Sequence, residues 1–279
     1  MTASPPATPT PATSAATSAQ GAPPRLTAQG ITLAYGERTV ATGLSLDVPS
    51  GAFTAVVGPN ACGKSTLLRA FVRLLRPTEG TVSLDGRDVR HWRPKAVARE
   101  LGFLPQTLTA PENTRARQLV ARGRYPHQSL LATWSPEDER AVEEAMSAAG
   151  VGDLADRELD SLSGGQRQRV WIAMVLAQEP PYLLLDEPTT FLDLAHQYQL
   201  LALLARLRDE GRTVIAVLHD LNQACRYADH LVAMRDGRVV AEGAPSEVID
   251  ADLVQRVFDL PSVVVPDPVT GAPMVVPTL

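Results

Sequence analysis

Two glycine-rich turns, about a hundred residues apart, carry residues suited to phosphate chemistry. The first reads Gly58-Pro59-Asn60-Ala61-Cys62-Gly63-Lys64-Ser65-Thr66 and fits G-x-x-x-x-G-K-[ST] between an apolar strand and a helical pattern. In such a loop the backbone N–H groups wrap phosphates, the lysine reaches the β and γ oxygens, and the serine hydroxyl holds Mg²⁺. The second turn, Ser163-Gly164-Gly165-Gln166 within "DSLSGGQRQRV", precedes an amphipathic helix. Free N–H groups and the helix dipole favour an anion there, yet this turn has no lysine.

Three further residue types converge on the same chemistry. "LLLDEP" places Asp186 and Glu187 at the C-terminal end of a buried strand, the edge where open α/β sheets bind ligands. Asp186 suits Mg²⁺, held through water, and Glu187 suits the polarisation of an attacking water. "VLHD" brings His219 to the same edge, where an imidazole can hydrogen-bond a γ-phosphate; alone, it reads equally as an ordinary strand-end histidine. Gln106 ends a third strand and says nothing by itself.

Cys62 reads two ways. Loop amides at a helix N-terminus favour a thiolate, whereas a small thiol turned inward is inert. Ala61 stands where related loops usually have another glycine. A loop this central is expected to suit its residue, so Ala61→Gly is expected to change stability little.

These residues need strands that end at one edge. Short strands fill "LTAQGITLAYGERTVATGLSLDVPSG", with a turn at Tyr35-Gly36, and "AFTAVVG" feeds the first loop. Leu67, Leu68, Phe71, Val72 and Leu75 mark a helix that Pro77 ends. An Asp-Gly turn follows "GTVSLDGRDV", then a strand at "ELGFLPQ". Residues 107–160 read as helical and charged, with a strong helix start at Ser135-Pro136-Glu137-Asp138. Strands "PYLLLDEP" and "TVIAVLHD" alternate with helices "AHQYQLLALLARLRDEG" and "LNQACRYAD", and a hairpin turns at Asp236-Gly237. "VVVPDPVTGAPMVVP" reads as two short strands that cover the sheet. The alternation predicts an α/β fold.

Bulk properties exclude other classes. The chain has 279 residues, 44% hydrophobic and 20% charged, with a net charge of −5. That is an ordinary globular composition without a basic footprint for nucleic acid. Cys62 and Cys225 are too few for a disulfide framework, and the five histidines show no metal-ligand spacing. No run of eighteen apolar residues exists, so no span is predicted. The Pro/Ala/Thr-rich segment 1–24 lacks the pattern of a secretory signal and is expected to be disordered.

The order P-loop, strand-end Gln, "LSGGQ", "LLLDEP", an aspartate six residues after Glu187 and a strand-end His resembles the ATP-binding subunit of ABC transporters. The resemblance covers residue 26 to about 243. It implies an α/β P-loop NTPase core with a mainly parallel sheet, an N-terminal antiparallel β subdomain and an inserted helical subdomain. The implied domains are 25–260 for the ATPase, with the helical part at about 107–165, and a β-hairpin-like extension at 261–279. It implies ATP and Mg²⁺ as cofactors. It makes Tyr35 the aromatic that stacks on adenine, although a turn or core tyrosine is the alternative. It makes Gln106 the Q-loop, beside both the metal and the catalytic residues, and Asp193, in "TTFLDLAHQ", the D-loop. Ser65, Gln106 and Asp186 form the implied metal set, and Glu187, His219 and Gln106 the catalytic one.

The lysine-free turn is explained if two subunits face head to tail. Ser163, Gly164 and Gly165 of one would then contact the γ-phosphate held by the P-loop of the other, giving two shared sites. "ARGRYPHQSLLATWSPEDE", "VLHDLNQACRYADHLVAMRDGRVVAEGAP" and "DPVTGAPMVVP" resemble importers for ferric siderophores, heme and cobalamin, and most of all the ferric-siderophore group. The implied partners are a second copy, integral membrane permease subunits and, indirectly, a substrate-binding lipoprotein, at the cytoplasmic face of the membrane. The alternative is a soluble ABC ATPase of translation or DNA repair. Those usually carry tandem cassettes, coiled-coil insertions or basic segments, which this sequence lacks.

Overall fold

The computed structural model describes residues 25–128 and 134–278. The segment 1–24, expected to be disordered, and residues 129–133 of the charged stretch lie outside the described residues. β1 (Leu26–Tyr35) and β2 (Arg38–Val48) form a hairpin, and β3 (Phe53–Val57) runs into the phosphate loop and α1 (Lys64–Phe71). β4 (Glu79–Leu84), β5 (Arg87–Asp88), α2 (Pro94–Glu100) and β6 (Leu101–Leu104) follow. Next come α3 (Ala116–Ala121), α4 (Pro136–Ala148) and α5 (Gly164–Ala177), which pack on one another. The alternation resumes with β7 (Tyr182–Asp186), α6 (Leu194–Asp209), β8 (Thr213–Val217), α7 (Leu221–Tyr227) and β9 (His230–Arg235). β10 (Arg238–Gly243), α8 (Pro245–Val248), α9 (Ala251–Phe258), β11 (Ser262–Pro266) and β12 (Pro273–Pro277) close the chain.

The central six-stranded sheet has the order β10-β9-β3-β8-β7-β6, and all its pairs are parallel except β9 with β10. β3, β7 and β8 are buried at every position, as a parallel sheet covered on both faces requires. Alternate side chains feed two cores. Val56, Leu184, Ile215 and Val217 pack with Leu67, Leu68 and Phe71 of α1 and with the antiparallel sheet β2-β1-β4-β5. Ala55, Leu183, Leu185, Val214 and Ala216 pack with Val170, Ala173, Leu201 and Leu204 of α5 and α6. Each fully buried aliphatic or phenyl side chain stabilises the fold by about 2 kcal/mol. The parallel pairing therefore holds the C-terminal ends of β3, β7 and β8 at one edge.

The helical unit has a polar lock. The buried Arg124 guanidinium donates to Asp138 at 2.8 Å and to Glu179 at 2.7 Å. Ser135 caps α4 by accepting from the Asp138 N–H, with Pro136 next, as the sequence predicts. Burial raises the Asp138 pKa, but the bonds from Arg124 and Ser135 outweigh it and hold the carboxyl below its usual range. Removing one partner from such a buried set costs roughly 3–5 kcal/mol, so the lock ties α4 to the approach to β7.

The structure departs from expectation in four respects. α1 stops at Phe71, well before Pro77. Arg73 takes a left-handed φ of 65°, and the Leu74 N–H turns back to the Arg69 carbonyl at 2.8 Å, a helix-ending closure. Residues 107–115 are not helical: Thr114 Oγ1 donates to the Pro111 carbonyl, and Asn113 has φ 56°. α2, α8 and α9 were not expected, because the motifs there are only two turns long or less. The hairpin β11–β12 forms its own two-stranded sheet and packs on α7 and α9, one layer outside the central sheet it was expected to cover.

Candidate active site

The loop between β3 and α1 is shaped by close approach. A Cβ at Gly58 would lie 2.1 Å from the Met234 carbonyl oxygen of β9, so only glycine fits. Pro59, Asn60, Ala61 and Cys62 complete the turn, and Gly63, with φ 105°, precedes the first residue of α1. That first residue is Lys64, which is 5% exposed. Its ammonium donates to the carbonyls of Gly58 at 2.9 Å and Pro59 at 2.8 Å. An ammonium has three donors and these are only neutral acceptors, so the group is matched to an added anion.

Ser65 and Asp186 meet behind the loop. Ser65 Oγ donates to Asp186 Oδ1 at 2.8 Å, and Asp186 Oδ2 is buried with no hydrogen-bond partner among the described residues. Burial pushes the Asp186 carboxyl above its usual range; the Ser65 hydrogen bond opposes this and the charge of Glu187 reinforces it. Glu187 Oε1 lies 2.8 Å from His219 Nε2, with Glu187 mostly buried. Glu187 takes a left-handed φ of 54°, secured by the Thr190 N–H on its carbonyl at 3.2 Å.

One open cleft of about 510 Å³ gathers Tyr35, Asn60, Ala61, Gly63, Lys64, Ser65, Thr66, Gln106, Glu187 and His219. Gln106 and His219 each stand two residues beyond their strands rather than on the final residue. Tyr35 is 45% exposed, at the end of β1, and its hydroxyl accepts from Arg69 Nη1 at 3.2 Å. That exposure excludes a core tyrosine and leaves the ring at the Gly36 turn, on the cleft wall. The remaining sequence candidates do not line this cleft. Ser163 caps α5 by accepting from the Gln166 N–H at 3.2 Å, and Gln166 Oε1 answers to the Ser163 N–H. Gly164 and Gly165 sit against Phe191 and Leu192. Asp193 caps α6 by accepting from the His196 N–H at 2.9 Å.

Arg38 and Val40 also line the cleft, and sequence reading missed them. The turn at Gly36 holds the signal, since it pairs Tyr35 with Arg38 in register. Gln168 was missed as well. It is buried on α5 and its amide donates to the Pro188 carbonyl, next to Glu187, at 3.1 Å.

The structure decides between the two readings of Cys62 and corrects the expectation for Ala61. Cys62 takes the inward reading: it is buried, and burial pushes its thiol pKa up more than the nearby Lys64 lowers it. Ala61 does not simply suit its place, because it adopts φ 61°.

A lysine-bearing loop between a buried parallel strand and a helix, with Asp, Glu and His delivered to the same sheet edge, defines a P-loop nucleoside triphosphatase. The ABC transporter family profile matches residues 41–190. The ferric enterobactin transport ATP-binding protein FepC of Escherichia coli (strain K12) is 56% identical over 254 residues, 91% of this chain and 94% of FepC. A metal-chelate type ABC transporter solved in an inward-facing conformation aligns with a TM-score of 0.77 at 29% identity, over 91% of this chain and 97% of that one. The dimeric post-hydrolysis state of the ATP-binding cassette MJ0796 bound to ADP and Pi aligns with a TM-score of 0.70 at 29% identity, over 78% and 98%. The chain belongs to the ABC transporter family and is an ATP-binding, ATP-hydrolysing member of it.

Ala61 yields a stability prediction. A non-glycine residue in the left-handed region costs about 1–2 kcal/mol, and glycine returns part of that through its freer unfolded chain. Ala61→Gly is expected to stabilise the nucleotide-free protein by roughly 0.5–1 kcal/mol, read as a higher urea midpoint at unchanged slope. An unchanged or lower midpoint would show that the loop bears no strain at Ala61.

Proposed function

We propose that this chain is the ATP-hydrolysing subunit of an importer for a ferric siderophore, acting as a homodimer on a separate membrane permease at the cytoplasmic face of the membrane. The observation that carries the reading is the single cleft in which Lys64, Ser65, Glu187, His219 and Gln106 converge, with "LSGGQ" left outside it. No helix among the described residues is long and apolar enough to cross a membrane, so a separate membrane partner fits. The identity with FepC supports the cargo class, and heme, cobalamin or another metal chelate is the alternative cargo.

The residues fit Mg²⁺. Among the described residues no cluster of three acidic, His or Cys ligands exists, but Mg²⁺ in nucleotide sites needs only one or two protein oxygens beside the phosphates. Ser65 Oγ and the unpartnered Asp186 Oδ2 would hold it, with Gln106 on the cleft wall. Bound there, the metal neutralises charge on the phosphate oxygens. Lys64 and the loop amides bind and orient the γ-phosphate. Tyr35 offers its ring to the base. Glu187 accepts the proton from the attacking water, and His219, 2.8 Å away, holds that carboxylate in place.

Ser163, Gly164, Gly165 and Gln166 complete the site of a second copy, with Asp193 at the same face. Phe191 and Leu194, which are 74% and 68% exposed beside this turn, supply apolar surface that a second copy would cover. The triphosphate then joins two chains, and its hydrolysis releases them.

Three measurements test this reading. Glu187→Gln is expected to lower hydrolysis by roughly 10²–10⁴-fold while ATP binding persists and the ATP-bound dimer accumulates. A near wild-type rate would remove Glu187 from the role. Ser163→Arg and Lys64→Ala should each be inactive alone, yet mixing them should restore partial activity. Their heterodimer has one site with both lesions and one with neither. Failure of recovery in demonstrated mixed dimers would reject shared sites. Deleting the gene should abolish growth on one or a few ferric siderophores and spare growth on abundant free iron. Normal iron uptake from every siderophore tested would reject that cargo class and leave the ATPase reading intact.

A further inference from the structure

The hairpin β11–β12 lies outside residues 41–190, the part matched by the family profile, and no role follows from the P-loop chemistry. Its attachment is specific. Asn222, in the first turn of α7, donates from Nδ2 to the Val275 carbonyl at 3.2 Å and accepts the Val275 N–H on Oδ1 at 2.7 Å. One side chain thus replaces a strand partner for β12. Helix α7 starts two residues after His219, and Asp220 caps it by accepting from the N–H groups of Asn222 and Gln223.

The same turn reaches a second loop. Gln223 is 2% exposed, and its Nε2 donates to Gln197 Oε1 at 2.8 Å. Gln197 Nε2 then donates to the Leu192 carbonyl at 3.1 Å. Leu192 precedes Asp193 and lies against Gly165. Consecutive amides pointing the same way polarise one another, so this chain is stiffer than its separate bonds.

We infer that the C-terminal hairpin is a clamp that positions the His219 loop and the Leu192–Asp193 turn together, through Asn222, Gln223 and Gln197. The inference rests on the proposed roles of His219 and Asp193. None of these three amides touches the cleft; they are positioning residues. Without the clamp, the first turn of α7 keeps its Asp220 cap but loses its outer support. His219 then samples positions away from the Glu187 carboxylate, and Asp193 positions away from the face that meets a second copy, while Lys64 and the loop amides still bind nucleotide.

The test uses the full-length protein with Asn222→Ala, which removes both bonds to Val275. kcat for ATP is expected to fall about 3–30-fold, the size of couplings carried by packed networks. KM is expected to stay within about twofold, because uniform binding is untouched. Amide exchange is expected to quicken at residues 218–223 and 191–193 and to stay unchanged at 58–66. Gln197→Met, which cuts the other end of the relay, should act alike, and the double variant should lose less than the product of the two effects. An unchanged kcat in Asn222→Ala overturns the inference. Exchange that quickens throughout the chain, or strictly multiplicative losses, overturns it too by assigning the amides to general stability. Glu187→Gln is assayed in parallel. Loss there with no effect of Asn222→Ala rejects the clamp alone, whereas activity there rejects the hydrolytic reading beneath it.

Discussion

A buried ammonium with no ion pair among the described residues is the constraint on which the rest of this structure depends. Among those residues Lys64 donates to the carbonyls of Gly58 and Pro59 and, at 3.9 Å, to the Cys62 sulfur. Desolvating such a charge costs several kcal/mol unless an anion compensates it. Behind the loop, Asp186 is fully buried, with one oxygen on Ser65 and the other without a hydrogen-bond partner among the described residues. The fold thus sets, at the phosphate loop and behind it, a cation held by neutral acceptors and a carboxyl with one unpartnered oxygen. A triphosphate is complementary to the ammonium, and a cation bound with it would be complementary to the carboxyl, so substrate binding would relieve desolvation penalties that folding leaves in place.

Holding those charges apart requires a rigid frame. The parallel pairs β3 with β8 and β8 with β7 fix where the phosphate loop and Asp186 emerge. The loop is pressed against β9 at Gly58, and Glu187 is forced into a left-handed conformation as the chain leaves β7. Strain of that kind costs about 1–3 kcal/mol and persists only where surrounding bonds over-determine it. Thr190 on the Glu187 carbonyl and Gln168 on the Pro188 carbonyl provide that determination.

What could be read from the sequence follows from which signals are local. The P-loop spacing, the Ser135 cap and the all-apolar strands each depend on neighbouring residues, so the sheet and the cleft residues were legible. The left-handed backbone at Ala61 and Glu187 was not, because alanine and glutamate carry no mark of it. Cys62 stayed open for a related reason: the loop amides argue for a thiolate and burial argues against it, and burial is a property of the assembled fold. The early end of α1 depends on the left-handed closure at Arg73, at a residue type that does not advertise it. The bonds between Asn222 and Val275, and those from Gln223 through Gln197 to Leu192, join residues far apart in sequence and leave no periodic trace.

The lysine-free turn is the counterpart of the buried ammonium. Ser163 and Gln166 satisfy each other in a capping box, so the turn keeps its shape without ligand. It needs no cation of its own if the phosphate it meets is already held by Lys64 of another copy. Within one chain, however, the turn is not independent of the chain's own cleft. Gly165 rests on the Phe191 backbone, and Gln168 of the same helix grips Pro188 beside Glu187. In a head-to-tail pair, the element that touches one nucleotide is therefore bonded to the loop that would hydrolyse the other. Two sites built this way would share a backbone, and α5, held at Pro188 by Gln168, would be the element that joins the turn at one to Glu187 at the other.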